Sequence, residues 1–366
     1  MSDRMRVLAV VPYPYDIVPG QRFRIEQWQP LLERDHGIDL TYVPFLDAET
    51  YRLFPRRGHT IRKMTTVLRG LARRAGEVLN AGKWDAAYLF REAASIGPAL
   101  FERLLARRIP YVFDFDDAIF IPQTSEANRM FSFLKFPRKT DTIVRRAAHV
   151  TPGNAYLAEY SRQYNPNVTV IPTTIDTDKY TPRSKEESDV PVIGWTGSHT
   201  TAMYINEMRD VLADIAKTHR FRLRVIGAGG FVAFAGIETE ELSWSSATEV
   251  EDLLPLDIGL MPLRDDPWAR GKCGLKALQY MALGIPTVVS PVGVNTEIVE
   301  HGRNGFLAST AEEWSARLKE LLENSEMRRR MGNAARQTVE TRYSARVQVP
   351  RLAEVFRSLG KESNRR

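Results

Sequence analysis

"RGKCGLKALQYMALGIPTVVSPVGVN", Arg270 to Asn295, holds two lysines, the chain's single cysteine, four glycines and an apolar run between two prolines. A helix leading into a buried strand accounts for part of it. Leu275, Leu278 and Ala282 recur at helical spacing and suit a core. "PTVVS" (286–290) is short, β-branched and bounded by turn formers, as a buried parallel strand is. On a helix starting near Gly271, Lys272, Lys276 and Gln279 share a second row. Lysines in the first turns oppose the helix's positive end, where acids are favoured, so a nearby anion gives their placement a reason. Two solvated surface lysines are the plainer alternative.

The same alternation of strand and helix runs outward in both directions. "RVLAVVPY" (6–13), "DLTYVPF" (39–45), "AAYLF" (86–90), "YVFDF" (111–115), "HVTPG" (149–153) and "VTVIP" (168–172) read as strands of a first unit. "VPVIGWTG" (190–197), "RLRVIG" (222–227), "DIGLMPL" (257–263), "PTVVS" and "GFLAS" (305–309) read as a second. A polar segment bracketed by prolines, 173–191, reads as the linker. The chain of 366 residues is longer than one core usually supports. The expected architecture is therefore two doubly wound α/β domains, 1–178 and 179–346, with a last helix from about 347.

Composition narrows the classes. One cysteine excludes an intrachain disulfide framework, and the six histidines lie singly, without zinc spacing. No apolar run approaches a membrane span, and the first apolar run is short for a signal peptide, so a cytoplasmic protein is expected. The net charge of +6 sits in the first half: residues 1–180 hold 26 Lys and Arg against 20 Asp and Glu. No aromatic platform interleaves the basic residues, which argues against nucleic acid. The segment 59–79 is a basic amphipathic helix that suits an anionic membrane surface, giving a peripheral contact through the basic first half. An apolar face packed on the sheet, with solvated charges, is the commoner arrangement and the expectation adopted.

Ligands of open parallel sheets bind beyond the carboxyl ends of the strands, so the loops leaving those ends matter most. "GWTGSHTT" (194–201) follows a strand and opens "AMYINEMRDVLADIA"; Gly197 permits close approach and Ser198 suits a cap, together favouring a phosphate. A plain capped turn explains it equally well. "VIGAGG" (225–230) lacks the Gly-x-Gly-x-x-Gly spacing and reads as a turn. "FDFDDAIF" (113–120) clusters Asp114, Asp116 and Asp117 after a strand, with Asp114 and Asp116 expected on one face; nothing nearby completes a metal cage. Arg91 and Glu92 end a neighbouring strand, and the four charges Arg91, Glu92, Asp116 and Asp117 are expected to line one wall. "VPGQRFRIEQW" (18–28) brings Gly20, Arg22 and Arg24 to the same edge.

With these residues in view, "VIPTTIDTDKY" and "DIGLMPLRDDPWARGKCGLKALQYMALGIPTVVSPVGVNTEIVEHGRNGFL" resemble the C-terminal half of GT-B glycosyltransferases, specifically retaining family 4. The resemblance covers about 165–345 and implies two Rossmann-like domains facing a cleft, the last helix crossing back to the first domain. It implies a nucleotide-diphosphate sugar as co-substrate, no cofactor and no metal, so that protein cations and helix dipoles stabilise the departing diphosphate. It assigns the donor to Gly197, Ser198, Lys272, Lys276, Gln279 and Glu297. It leaves the acceptor, whether small molecule, glycan or lipid-linked, to Gly20, Arg22, Arg24 and Arg91. Asp117, Asp116 and Glu92 are the candidates for orienting its hydroxyl, with Lys276 the catalytic cation. The family's paired glutamates, seven residues apart, fall here on Gly271 and Gln279, and no histidine stands at the strand ends of the first half. The implied function is glycosyl transfer with retention, against a GT-B epimerase or phosphorylase and a non-catalytic sugar-nucleotide binding protein.

Overall fold

The computed structural model describes residues 4–53, 60–121, 136, 138–183, 190–230, 233–234 and 236–363. The chain divides into one unit of residues 1–173 with 348–366 and another of 174–347.

The first unit is built on β1 (Met5–Val11), β2 (Ile38–Pro44), β3 (Ala86–Phe90), β4 (Tyr111–Phe115) and β5 (His149–Pro152). All pair in parallel, in the order β2-β1-β3-β4-β5. Every residue of β3 and β4 is buried, the mark of a parallel sheet covered on both faces. "VTVIP" is not a regular strand; it runs beside β5 through an isolated bridge, Val150 to Val168, with Thr169 N–H donating to Val150 O and Ile171 N–H to Pro152 O. The final helix, Ala345–Ser363, belongs to this unit from Gln348 onward, where Phe356 packs 6.4 Å from the Tyr88 ring.

The second unit adds β6 (Val192–Thr196), β7 (Arg222–Ile226), β8 (Glu238–Leu242), β9 (Ile258–Met261), β10 (Thr287–Val289) and β11 (Phe306–Leu307). Their order, β11-β10-β9-β6-β7-β8, is the 3-2-1-4-5-6 winding of dinucleotide-binding sheets. The core gathers Ile193, Trp195, Leu223, Val225, Ile258 and Leu260 from the strands with Leu212, Leu318 and Leu321 from the helices. β8 escapes a reading by apolar pattern because its sequence is ETEEL; it is an edge strand whose glutamates discourage further pairing.

Each sheet has one place where the winding reverses, between β1 and β3 in the first unit and between β6 and β9 in the second. Helices leave opposite faces of the sheet there, so the loops part and open a crevice at the strand ends. The segments that follow β1, β3, β6 and β9 carry Gly20, Arg91, Gly197 and Lys276 respectively, Lys276 in the first turn of its helix.

Candidate functional site

In the second unit the crevice is organised around Trp195. Its ring is fully buried at the end of β6, and the Lys276 ammonium lies 4.3 Å from the ring centroid. Gly197 lies against the same ring: a Cβ there would come 2.3 Å from the indole, so no larger residue fits without movement. Lys276 and Gly197 thus both lie against one aromatic. Lys276 is half-buried, and among the described residues no carboxylate pairs with it. Burial first, and the neighbouring Lys272 second, pull its pKa down from 10.5 to about 7. A half-buried amine that repels a second cation gains most from an arriving anion.

Ser198 caps the short turn His199–Thr201 through a reciprocal pair with Thr201. The backbone N–H of Gly197 donates to Ile226 O at 2.9 Å, and that of Ser198 to Thr201 Oγ1 at 3.0 Å. The contribution of Gly197 is therefore close approach rather than a donor, while the exposed Ser198 hydroxyl shares a hydrogen bond with Thr200 at 2.9 Å. The single helix expected after this turn is instead two, Ala202–Asn206 and Arg209–Ala216. "VIGAGG" is a turn after β7, with Gly227, Gly229 and Gly230 at positive φ.

The expected row of Lys272, Lys276 and Gln279 is corrected. The helix begins at Leu275, after Gly274 at φ 71°, so Lys272 precedes it, its ammonium 5.7 Å from the Trp268 ring. Gln279 is buried and donates to the Tyr180 hydroxyl at 2.9 Å, tying the interdomain segment to the helix rather than facing a ligand. Glu297 is exposed on the short helix Asn295–Ile298 beyond β10. Beside it Asn295 is buried, donating to Ser290 O at 3.0 Å, with its Oδ1 unpartnered. Cys273 is buried and forms no disulfide, its thiol 3.8 Å from Gly271 O.

In the first unit the crevice is organised around Arg91, held at φ 56°, a conformation uncommon outside glycine. Its Nε and Nη2 donate to Asp116 Oδ1 at 2.9 and 2.7 Å, and Nη2 also donates to Asp117 Oδ2 at 2.6 Å. Burial opposes the guanidinium charge, but the two carboxylates outweigh it and raise its pKa well above the ordinary value. Gly20 closes the group from the other side, where a Cβ would lie 2.7 Å from Asp116 Oδ2 and 3.1 Å from Arg91 Nη2. Tyr13, whose pKa is raised mainly by burial, lies near enough to Arg91 to feel its charge. Nothing in a lone tyrosine after the first strand signals this.

Four first-unit expectations change. Arg24 is fully buried and cannot meet an acceptor; it clamps Asp114 with Nε and Nη2 at 2.9 and 2.5 Å and donates to Ile171 O and Thr151 O. Thr151 Oγ1 adds a bond to Asp114 at 2.8 Å. Asp114 therefore does not share a face with Asp116: β4 ends at Phe115, the chain bends, and Asp116 turns with Asp117 toward Arg91. Glu92 also leaves the expected wall, pairing with Lys139 at 3.1 Å, a lysine that also reaches Ala94 O and lies 3.8 Å from Glu102. Arg22 is buried against Asp16, with its Nε donating at 2.7 Å. It lies in the π-helical turn Arg22–Glu26, which Gln21 braces by donating to Glu26 at 2.6 Å.

Known proteins share the fold of this chain. The chain aligns with sucrose-phosphate synthase of Thermosynechococcus elongatus over 97% of its own length and 99% of that chain, with a TM-score of 0.67 at 13% identity. It aligns with Anabaena HepE, solved in complex with UDP and glucose, over 97% and 100%, with a TM-score of 0.66 at 16% identity. Spore coat protein SA of Bacillus subtilis is 32% identical over 81 residues, a match spanning 21% of this chain and 22% of that protein. Residues 176–338 match the model of glycosyl transferases group 1. Most of the second unit thus matches the glycosyl transferases group 1 model, within a chain that has the GT-B fold.

Proposed function

We propose that this chain transfers a sugar from a nucleoside-diphosphate sugar to an acceptor hydroxyl, with retention of anomeric configuration and without a metal. Lys276 carries the reading: a half-buried cation with no carboxylate among the described residues, at the point where the second sheet reverses. As the bond from the anomeric carbon to the diphosphate oxygen breaks, negative charge gathers on the leaving group. A preorganised ammonium in a partly dehydrated site stabilises that charge more in the transition state than in the ground state. Gly197 keeps the turn flat enough for a phosphate to approach, and Ser198 supplies a hydroxyl beside it.

The acceptor is assigned to the first unit. Arg91 holds Asp116 and Asp117 in place, and a carboxylate oriented this way receives the hydrogen bond of a sugar hydroxyl. Asp117, the more exposed of the two at 23% of its side chain against 12%, is the better placed to orient the hydroxyl as its oxygen bonds the anomeric carbon. Because Arg91 occupies both carboxylates, a divalent cation would have to displace it first.

A thermal-shift screen of nucleotide sugars tests the reading, with UDP-glucose first because HepE is solved with it. A bound donor raises the melting temperature with saturation. Transfer should persist in EDTA and give a product whose anomeric configuration, by NMR, matches the donor's. No stabilisation by any nucleotide would remove the donor assignment, and an inverted product or loss of activity in EDTA would remove the corresponding clause.

A further inference from the structure

We propose that the helix Thr60–Leu79 of the first unit is a docking face for an anionic lipid bilayer. The commoner arrangement, with this helix's apolar residues turned onto the sheet, is only half realised. Val67 and Leu71 pack on the cluster of Phe45, Leu46 and Ala94, and Arg74 and Val78 are buried beneath them. A second apolar row points outward: Ile61 is 77% exposed, Met64 61% and Leu68 58%, and the exposed Ala72 continues it. At 100° per residue these four fall within about 80° of arc. A contiguous row of large exposed apolar side chains costs solubility unless something covers it.

The neighbouring arc identifies what covers it. Arg62, Arg69 and Arg73 follow one another along the same side, all exposed, although Arg73 also donates to Pro44 O and Phe45 O and lies 3.6 Å from Glu77. Arg62 faces Glu49 in an exposed pair, which competes weakly with other anions. The helix as a whole carries five basic residues against the single Glu77, within a half-chain holding all the net positive charge. An apolar row bordered by arginines matches the boundary of a bilayer, acyl chains beneath and anionic headgroups at the side. A second copy of the chain fits less well, since apposing two such rows would bring their arginines together. Among the described residues no helix is long and apolar enough to cross a membrane, so the contact proposed is in-plane.

The inference does not depend on the glycosyl-transfer reading, and its test needs no substrate. The full chain is sedimented with phosphatidylcholine vesicles with and without phosphatidylglycerol. It should partition onto the anionic vesicles and be released by salt. Combining Ile61→Ser, Met64→Ser and Leu68→Ser should lower the partition coefficient at least tenfold, and Arg69→Gln about fivefold. Both variants should keep the wild-type melting temperature, because the altered side chains are exposed. The proposal is overturned by no vesicle binding, by equal binding to neutral vesicles, or by a triple variant that binds like wild type. It is equally overturned if the wild type fails to bind vesicles but forms a dimer, in sedimentation equilibrium, that the triple substitution dissociates.

Discussion

The two crevices differ in how their charge is balanced. In the first unit Arg91 is enclosed by Asp116 and Asp117, so the group is internally paired with one negative charge in excess. In the second, Lys276 stands over Trp195 with a further cation, Lys272, close enough to lower its pKa. The same winding reversal therefore presents a ligand with fixed carboxylates in one unit and an uncompensated ammonium in the other. A neutral polyol needs hydrogen-bond acceptors held in place; a diphosphate needs positive charge. The proposed division of acceptor from donor rests on this contrast.

The largest effect tests whether the first unit's other arginine belongs to the fold rather than the site. Arg24→Met leaves Asp114 charged and unpaired among buried residues, and should cost about 3–5 kcal/mol in urea unfolding. Nucleotide affinity in the folded variant should be unaltered; a stable variant that had lost transfer would return Arg24 to the site. Next comes Lys276→Ala, expected to lower transfer about 100-fold.

The same lysine sets a pH dependence. Its folded pKa of about 7 lies below the ordinary 10.5, so the neutral amine is favoured on folding and unliganded stability rises with pH above about 7. Diphosphate binding has the opposite slope: above pH 7 it must draw a proton onto Lys276, and affinity should fall by up to about tenfold per pH unit. Calorimetry in two buffers of different ionisation enthalpy should register that proton, and Lys276→Ala should abolish it. The smallest effect is expected for Asp117→Asn, roughly tenfold on transfer, with nucleotide affinity and donor hydrolysis kept. Lost nucleotide binding would place Asp117 on the donor side and collapse the comparison.

Most of the framework is legible in the chain because a strand covered on both faces must be apolar throughout. "AAYLF" and "YVFDF" show this, and their bounds coincide with β3 and β4. ETEEL fails the same test because an edge strand is stabilised by its ladder to β7, not by burial of its side chains. Gly197, Ser198 and Lys276 were identifiable from a glycine turn and a lysine near a helix start. Trp195, which brings them together, was not, because an aromatic in a strand looks like any other core residue. Arg24 and Gln279 misled for a related reason: a polar side chain in a motif looks available until its buried partner, Asp114 or Tyr180, is known.

By itself the sequence determined most of the strands and the residue types at their ends, which derive from local periodicity and the steric demands of glycine and proline. Only the tertiary structure decided which charges cancel. Arg24 and Arg91 are both arginines near a strand end, yet one is consumed by Asp114 in the core and the other holds two carboxylates at the surface of a crevice. Pairing depends on distances between residues 90 and 25 positions apart, and those distances exist only once the strands have aligned.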